Sequence, residues 1–399
     1  MSADHADETL PLLSTPADGV PPVIDTPTGL AEVVHALDTG SGPVAVDAER
    51  ASGYRYGQRA FLVQLRRDGA GTHLVDPEPF ADLERLDEAL RGTEWVLHAA
   101  TQDLPCLADL GMRPDALFDT ELAARFLGFE RFGLAAVVGE TVGVRLAKEH
   151  SAVDWSTRPL PESWLAYAAL DVEVLLDVAD ELDGRLHAAG LAEFAQQEFE
   201  HLLDFRPTVH DEPWRRLNGL GSLKVPRQLA RARELWTSRD ALARDGDIAP
   251  SRILRDREIV ALASARVRTA DDVFRAIGTG RLTRRRAQRW TEALMRANSL
   301  PEPELPRRAR PSAPGRRVDR ALVKERTAAL KGAMRNLSEA TGIPHDLLLQ
   351  PAIVRGLATL PDPADPDIVD EFLVDAGARP WQREMSLPSL LDAARTVRG

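Results

Sequence analysis

A single cysteine, Cys106, in 399 residues rules out an internal disulfide and a cysteine-built zinc site. Aromatic residues make up 5% of the chain, too few for an extended base-stacking platform. No run approaches the roughly 18 uninterrupted apolar residues that a membrane span needs. The opening MSADHADETLPLLSTPADGVPP carries no basic n-region and no apolar core, so a signal peptide is not expected. No GxxxxGK[ST] occurs, which excludes a P-loop phosphate cradle. With 44% hydrophobic and 28% charged residues, what remains is a soluble chain too long for one ordinary core. A cytoplasmic protein of two or three domains, without a membrane partner, is the expectation.

Positive charge is scarce overall but not everywhere. The net charge of −12 divides into 14 Lys+Arg against 37 Asp+Glu over residues 1–205, 27 against 14 over 206–320, and 9 against 11 thereafter. An acidic first half is thus followed by a basic middle region that would attract a polyanion. The competing reading is a set of solvated helix faces rich in arginine.

The first half alternates between helix and strand signals. A helix over 29–37 leads into a strand over 44–49. Strands over 60–66 and 72–75 flank a hairpin turn at 68–71. A helix over 80–90, a buried strand over 95–98 and helices over 103–110 and 121–127 follow, then a long helix over 162–188 with Pro161 at its start. Asp119 or Thr120 suits the cap of the helix at 121. Beyond residue 205 only helices are expected, interrupted by LPEPELPRRARPSAPGRR at 300–317. Residues 248–260 and 343–354 repeat weakly at an offset of 94, pairing Pro250 with Pro344, Ile253 with Leu347 and Leu254 with Leu348.

Asp47 and Glu49 stand two apart at the end of the apolar strand VAVDAE, so both carboxylates leave one face of the sheet. Like charges so close are costly without a compensating cation or solvent. Asp103 opens a helix after the strand WVLH, where an acid is ordinarily a cap. Tyr167 and Asp171 are four apart in SWLAYAALDVEVLLDV and share a helix face. Each motif alone is weak. In this order they resemble the tyrosine branch of the DEDD 3′→5′ exonucleases, and HAATQDLPCL, LFDTELAARFLG and the segment around Tyr167 narrow the likeness to ribonuclease D.

The resemblance implies an α/β nuclease domain, a mixed β-sheet flanked by helices in the ribonuclease H-like manner, followed by two all-α HRDC-like helical domains. The borders expected are a disordered acidic, proline-rich tail (1–26), the exonuclease domain (27–205), an HRDC domain (206–297), a Pro/Arg-rich linker (298–319) and a second HRDC-like domain (320–399). It further implies two Mg²⁺ or Mn²⁺ ions on Asp47, Glu49, Asp103 and Asp171, with Tyr167 orienting a nucleophilic water. The partner implied is RNA with a free 3′ end, tRNA precursors being one candidate class, acted on by a monomer. Substrate contacts are expected from Gln64, His98 and Lys148 and from Arg215, Arg216, Lys224, Arg227, Arg231, Arg285 and Arg286, although His98 reads more simply as a core histidine. A DNA-directed nuclease of the same superfamily and a non-catalytic RNA-binding scaffold are the rivals.

Overall fold

The computed structural model describes residues 10–147, 152–278, 280, 282–307 and 320–397. The described part of the expected N-terminal tail is ordered. Strand β1 (Leu12–Leu13) pairs in parallel with β8 (Arg145–Leu146), and β2 (Val23–Ile24) extends the main sheet alongside Leu74 and Val75. Each is an apolar pair in polar sequence. An open sheet edge supplies the backbone partners that composition alone does not reveal.

Thr26 then caps α1 (Pro27–Thr39) by accepting from Gly29 N at 3.2 Å. The sheet is built from β3 (Ser41–Arg50), β4 (Ala60–Asp68), β5 (Gly71–Val75), β6 (Glu94–Leu97) and β7 (Ala116–Asp119), in the order β2-β5-β4-β3-β6-β7. The β3, β4 and β5 pairings are antiparallel, whereas β6 and β7 add in parallel. Around it lie α2 (Glu84–Ala89), α3 (Leu104–Asp109), α4 (Thr120–Phe126), α5 (Leu134–Thr141), α6 (Glu162–Glu173), α7 (Leu175–Ala189) and α8 (Ala192–Leu203). The expected mixed sheet flanked by helices is present. Two expected helices differ. The one at 80–90 shortens to α2, and the long one at 162–188 divides at Val174. There the buried, β-branched Val172 and Val174 flank a turn that carries α7 over β3 and β6 while α6 covers β3, β4 and β5.

The helical half comprises α9 (Pro226–Asp245), α10 (Pro250–Ile253), α11 (Asp256–Ser264), α12 (Ala270–Ile277) and α13 (Arg284–Ser299), then α14 (Arg320–Thr341), α15 (His345–Leu348), α16 (Pro351–Leu357), α17 (Pro366–Asp375) and α18 (Pro380–Thr396). The repeat is real, but its backbone register is 95, not 94. Leu254 and Leu349 both end a one-turn helix in extended conformation, at φ −156° and −155°. In that register the buried residues coincide: Ile253 with Leu348, Ile259 with Val354, Leu262 with Leu357. The prolines misled the sequence alignment because Pro250 is the first helical residue and Pro344 the cap before one. Leu300 and Leu305 pack on Ala230 and Ala297, so the expected linker belongs to the first helical module as far as it is described there.

The two modules join the nuclease differently. In the second, Ile343, Leu347, Leu348 and Trp381 enter the nuclease core itself. Trp381 stacks on Phe194 at 5.3 Å, meets Phe126 at 5.2 Å, and donates from Nε1 to Glu198 at 2.8 Å. Arg379 grips both oxygens of the same buried carboxylate at 2.5 Å. Removing Glu198 would strand the Arg379 guanidinium in that interface, at a cost of about 3–5 kcal/mol. Glu198→Ala is therefore expected to unfold at markedly lower temperature than wild type, and Glu140→Ala, which loses an exposed ion pair to Arg185, almost unchanged. A thermal melt of both variants checks this.

Candidate active site

Strand alternation and one helix create the site. Asp47 and Glu49 leave β3 on the face covered by α6, and Asp171 comes down from α6 to meet them. One carboxylate oxygen from each of the three lies within 4.8 Å of the others. Asp103 is placed from the far side by a tight turn. Asp119 at the end of β7 accepts from Ala99 N (3.2 Å), Ala100 N (2.8 Å) and Leu122 N (3.0 Å). It thus caps α4 and pins the turn in which Ala99 takes a left-handed φ of 58°. The sequence reading of Asp119 as a cap agrees with this, and the turn hands the chain to Asp103 at the start of α3.

Burial raises the pKa of all four acids, and repulsion from neighbouring carboxylates adds to it for Glu49, Asp103 and Asp171. Glu49 is pushed well up by burial, then by the charges of Asp47, Asp171 and Asp103. Asp103 and Asp171 are likewise raised well above the ordinary carboxylate range, by burial first and by Asp47 second. Arg50 opposes this, its Nη2 standing 3.7 Å from Asp103 and 3.3 Å from Gln102 Oε1. Its position directly after the DxE pair was the available signal, and sequence reasoning passed over it. A cluster of oxygen donors too crowded to carry its own charge fits a hard divalent cation.

Tyr167 donates its hydroxyl to Asp171. Burial and the neighbouring carboxylates push its pKa upward, so the phenol keeps its proton. Beneath it, Trp155 is fully buried with its ring 6.4 Å from Tyr167 and 5.5 Å from Trp164. Arg158 anchors this segment through a two-toothed pair with Asp76, at 2.5 and 2.8 Å.

Several expected substrate contacts are employed elsewhere. Gln64 differs: it faces Asp47 across the β3–β4 pair and is withdrawn by burial and not by a partner, its amide atoms making no hydrogen bond among the described residues. His98 Nδ1 lies 2.9 Å from Thr120 Oγ1, and burial lowers its pKa to about 4, the behaviour of a neutral core histidine. Lys148 lies outside the described residues. Arg227 donates to the carbonyls of Ala297, Asn298 and Leu300, closing the C-terminus of α13, and Arg231 bonds Asn298, Ala263 and Ala265. Arg215 is held by Glu212 and the Arg307 carbonyl, Arg216 by His210, and Lys224 by the Gly221 carbonyl. Long basic side chains readily reach exposed carbonyls at helix ends, which a charge count does not register. Arg285 and Arg286, with Arg289, keep side chains without a hydrogen-bond or ion-pair partner among the described residues.

Residues 21–187 match the family model described as 3′-5′ exonuclease, residues 228–294 the HRDC domain, and residues 320–394 the 3′ to 5′ exonuclease C-terminal domain. A ribonuclease D of Acidiphilium cryptum is 31% identical over 349 residues, 82% of this chain and 87% of that protein. A crystal structure of a protein from Bifidobacterium adolescentis superposes with a TM-score of 0.87 at 36% identity, covering 97% of this chain and 100% of that one. The structure of Escherichia coli RNase D, described as an exoribonuclease involved in structured RNA processing, gives 0.70 at 25% identity, with 95% and 99% covered. With ribonuclease D relatives matched over most of their length and with the nuclease and helical domains matched in one continuous chain, this protein belongs to the ribonuclease D family.

Proposed function

We propose that the chain is a metal-dependent 3′→5′ exoribonuclease that releases nucleoside 5′-monophosphates from RNA ends. The observation that carries this reading is the convergence of Asp47, Glu49 and Asp171 within 4.8 Å on a ribonuclease D fold. Asp47, Glu49 and Asp171 would hold one divalent ion, and Asp47 with Asp103 a second. Ions bound there supply Lewis acidity toward the scissile phosphate and make a water nucleophilic near neutral pH. Tyr167, protonated and bonded to Asp171, orients groups at the reaction centre and does not act as a base. His98, neutral and tied to Thr120, has no part in proton transfer.

RNA is held in this reading by Arg285, Arg286 and Arg289 of α13, unpaired among the described residues, acting on phosphates with little base specificity. The working units are the exonuclease domain with the strands that precede residue 27, the HRDC domain extended to the residues packed on its end at 300–305, and the C-terminal helical domain from residue 320. A buried lone thiol at Cys106 suits a reducing compartment, and we place the enzyme in the cytoplasm.

With Mn²⁺ or Mg²⁺, a 5′-labelled single-stranded RNA is expected to give a descending ladder. Asp47→Ala should abolish it, and Tyr167→Phe should slow it by about 10- to 100-fold. An ineffective DNA competitor would confirm the substrate class; a ladder that persists in Asp47→Ala would sink the assignment of the site. Replacing Arg285, Arg286 and Arg289 together by Gln should weaken RNA binding and flatten its log–log salt slope by about 2.

The raised carboxylates also set a pH dependence. Their contribution to stability is present below the unfolded pKa and is lost as pH rises through the folded one. The metal-free site therefore loses stability above the ordinary carboxylate range, and a divalent cation relieves that loss. The rise in melting temperature on adding Mn²⁺ should accordingly be larger at about pH 8 than at about pH 5.5, and mostly absent in Asp171→Asn.

A further inference from the structure

Residues 51–59 join β3 to β4, and the two tyrosines of this loop face different modules. Tyr54 packs in the cluster that holds Trp155, Trp164 and Tyr167, and its hydroxyl donates to the Ala152 carbonyl at 3.3 Å. Arg55 Nε donates to Ser156 Oγ at 2.7 Å. Tyr56 packs instead against the core of the first helical module. Its N–H donates to Asp247 Oδ1 at 3.2 Å and its hydroxyl to Asp240 Oδ1 at 3.1 Å. From the module, Ala249 N donates to the Tyr54 carbonyl at 2.9 Å and Arg252 Nε to the Gly53 carbonyl at 2.6 Å. The Arg252 guanidinium lies 4.0 Å over the Tyr54 ring.

Two observations give this loop its weight. Among the described residues, residues 53–59 make hydrogen bonds or ion pairs with Asp240, Arg244, Asp247, Ala249 and Arg252 of the first helical module. Asp247, moreover, holds a left-handed φ of 46°. Aspartate is one of the few non-glycine residues that adopt this conformation, and a partnered carboxylate holds it in place. Here its carboxylate receives Tyr56 N, Arg59 Nη2 at 3.2 Å and Arg55 Nη1 at 3.6 Å. The loop starts two residues after Glu49, and its other footing, residues 152–156, carries the tryptophan packed under Tyr167.

We propose that the first helical module governs the rate of hydrolysis and not only the hold on RNA, because it clamps the 51–59 loop against residues 152–156 and so fixes Glu49 and Tyr167 relative to each other. This rests on the exoribonuclease reading above. Tyr56 and Asp247 are positioning residues, acting through the loop. Loosening it lets the end of β3 and the start of α6 drift apart, and small misplacements of reacting groups are costly in rate.

The test uses the full chain with Mn²⁺ on two substrates, a two-nucleotide RNA and a long single-stranded RNA. Asp247→Gly keeps the left-handed backbone and removes both acceptor oxygens, whereas Asp247→Asn keeps the backbone and the acceptor for Tyr56 N but loses the oxygen and charge that receive Arg59 and Arg55. Asp247→Gly is expected to lower kcat about tenfold on both RNAs with KM for the short one unchanged, and Asp247→Asn, which keeps the Tyr56 contact, to fall between Asp247→Gly and wild type. Amide exchange over residues 51–56 and 152–156, read without turnover, should quicken in Asp247→Gly. Tyr56→Phe, a milder change, should shift kcat in the same direction if Asp247→Gly fails to fold. Unchanged kcat with a KM rise confined to the long RNA would reduce the module to a tether and overturn the proposal, as would unaltered exchange. Wild type inactive on both RNAs would overturn the exoribonuclease reading itself, and the rate claim with it, an outcome told apart by the missing active reference.

Discussion

Carboxylates repel, and everything around this site is arranged to hold four of them where they would not stay unaided. Asp47 and Glu49 are fixed by strand pleating, Asp171 by a helix packed across that strand, and Asp103 by a turn pinned through Asp119. Burial raises all four pKa values and repulsion raises three of them further, so the scaffold stores an affinity for positive charge that Arg50 only partly answers. Such a centre requires rigid supports, and the supports are apolar: Trp155 under Tyr167, and the Val172–Val174 turn that lets consecutive helices cover different strands.

The basic middle region has a divided role. Arg227, Arg231 and Arg239 spend their donors on backbone carbonyls, and Arg239 also on Asp256. Part of the positive charge that distinguishes this region is therefore structural. What is left for a polyanion gathers at the start of α13, where Arg285 and Arg289, four apart, are exposed and Arg286 is half-buried beside the core residues Ala287 and Trp290.

Much of this was legible in the sequence because it rests on periodicity. The DxE pair needs only a strand, and Tyr167 with Asp171 needs only a helix, so spacing alone brought each pair to one face. Asp119 was legible as a cap because capping is local. The ordered residues at 12–13 and 23–24 were not legible, since their partners lie far along the chain at 145–146 and 74–75. Gln64 and Arg227 show the same limit for side chains. A glutamine on a strand beside the acids and an arginine in a basic stretch look like ligand contacts until burial and helix ends are known. The off-by-one repeat arose because proline fits either the position before a helix or its first residue.

The two helical modules share a backbone plan but not a manner of attachment. One is fused through Trp381 and Glu198 into an apolar core, whereas the other meets a nine-residue loop through polar contacts and through Tyr56, which packs on its core. A fused module can change only in concert with the surface it completes. A module hooked on one short loop is a separable cassette: the loop and the module together form the unit that recombination could exchange between nucleases of this architecture, leaving the acidic centre intact while altering what is presented to it.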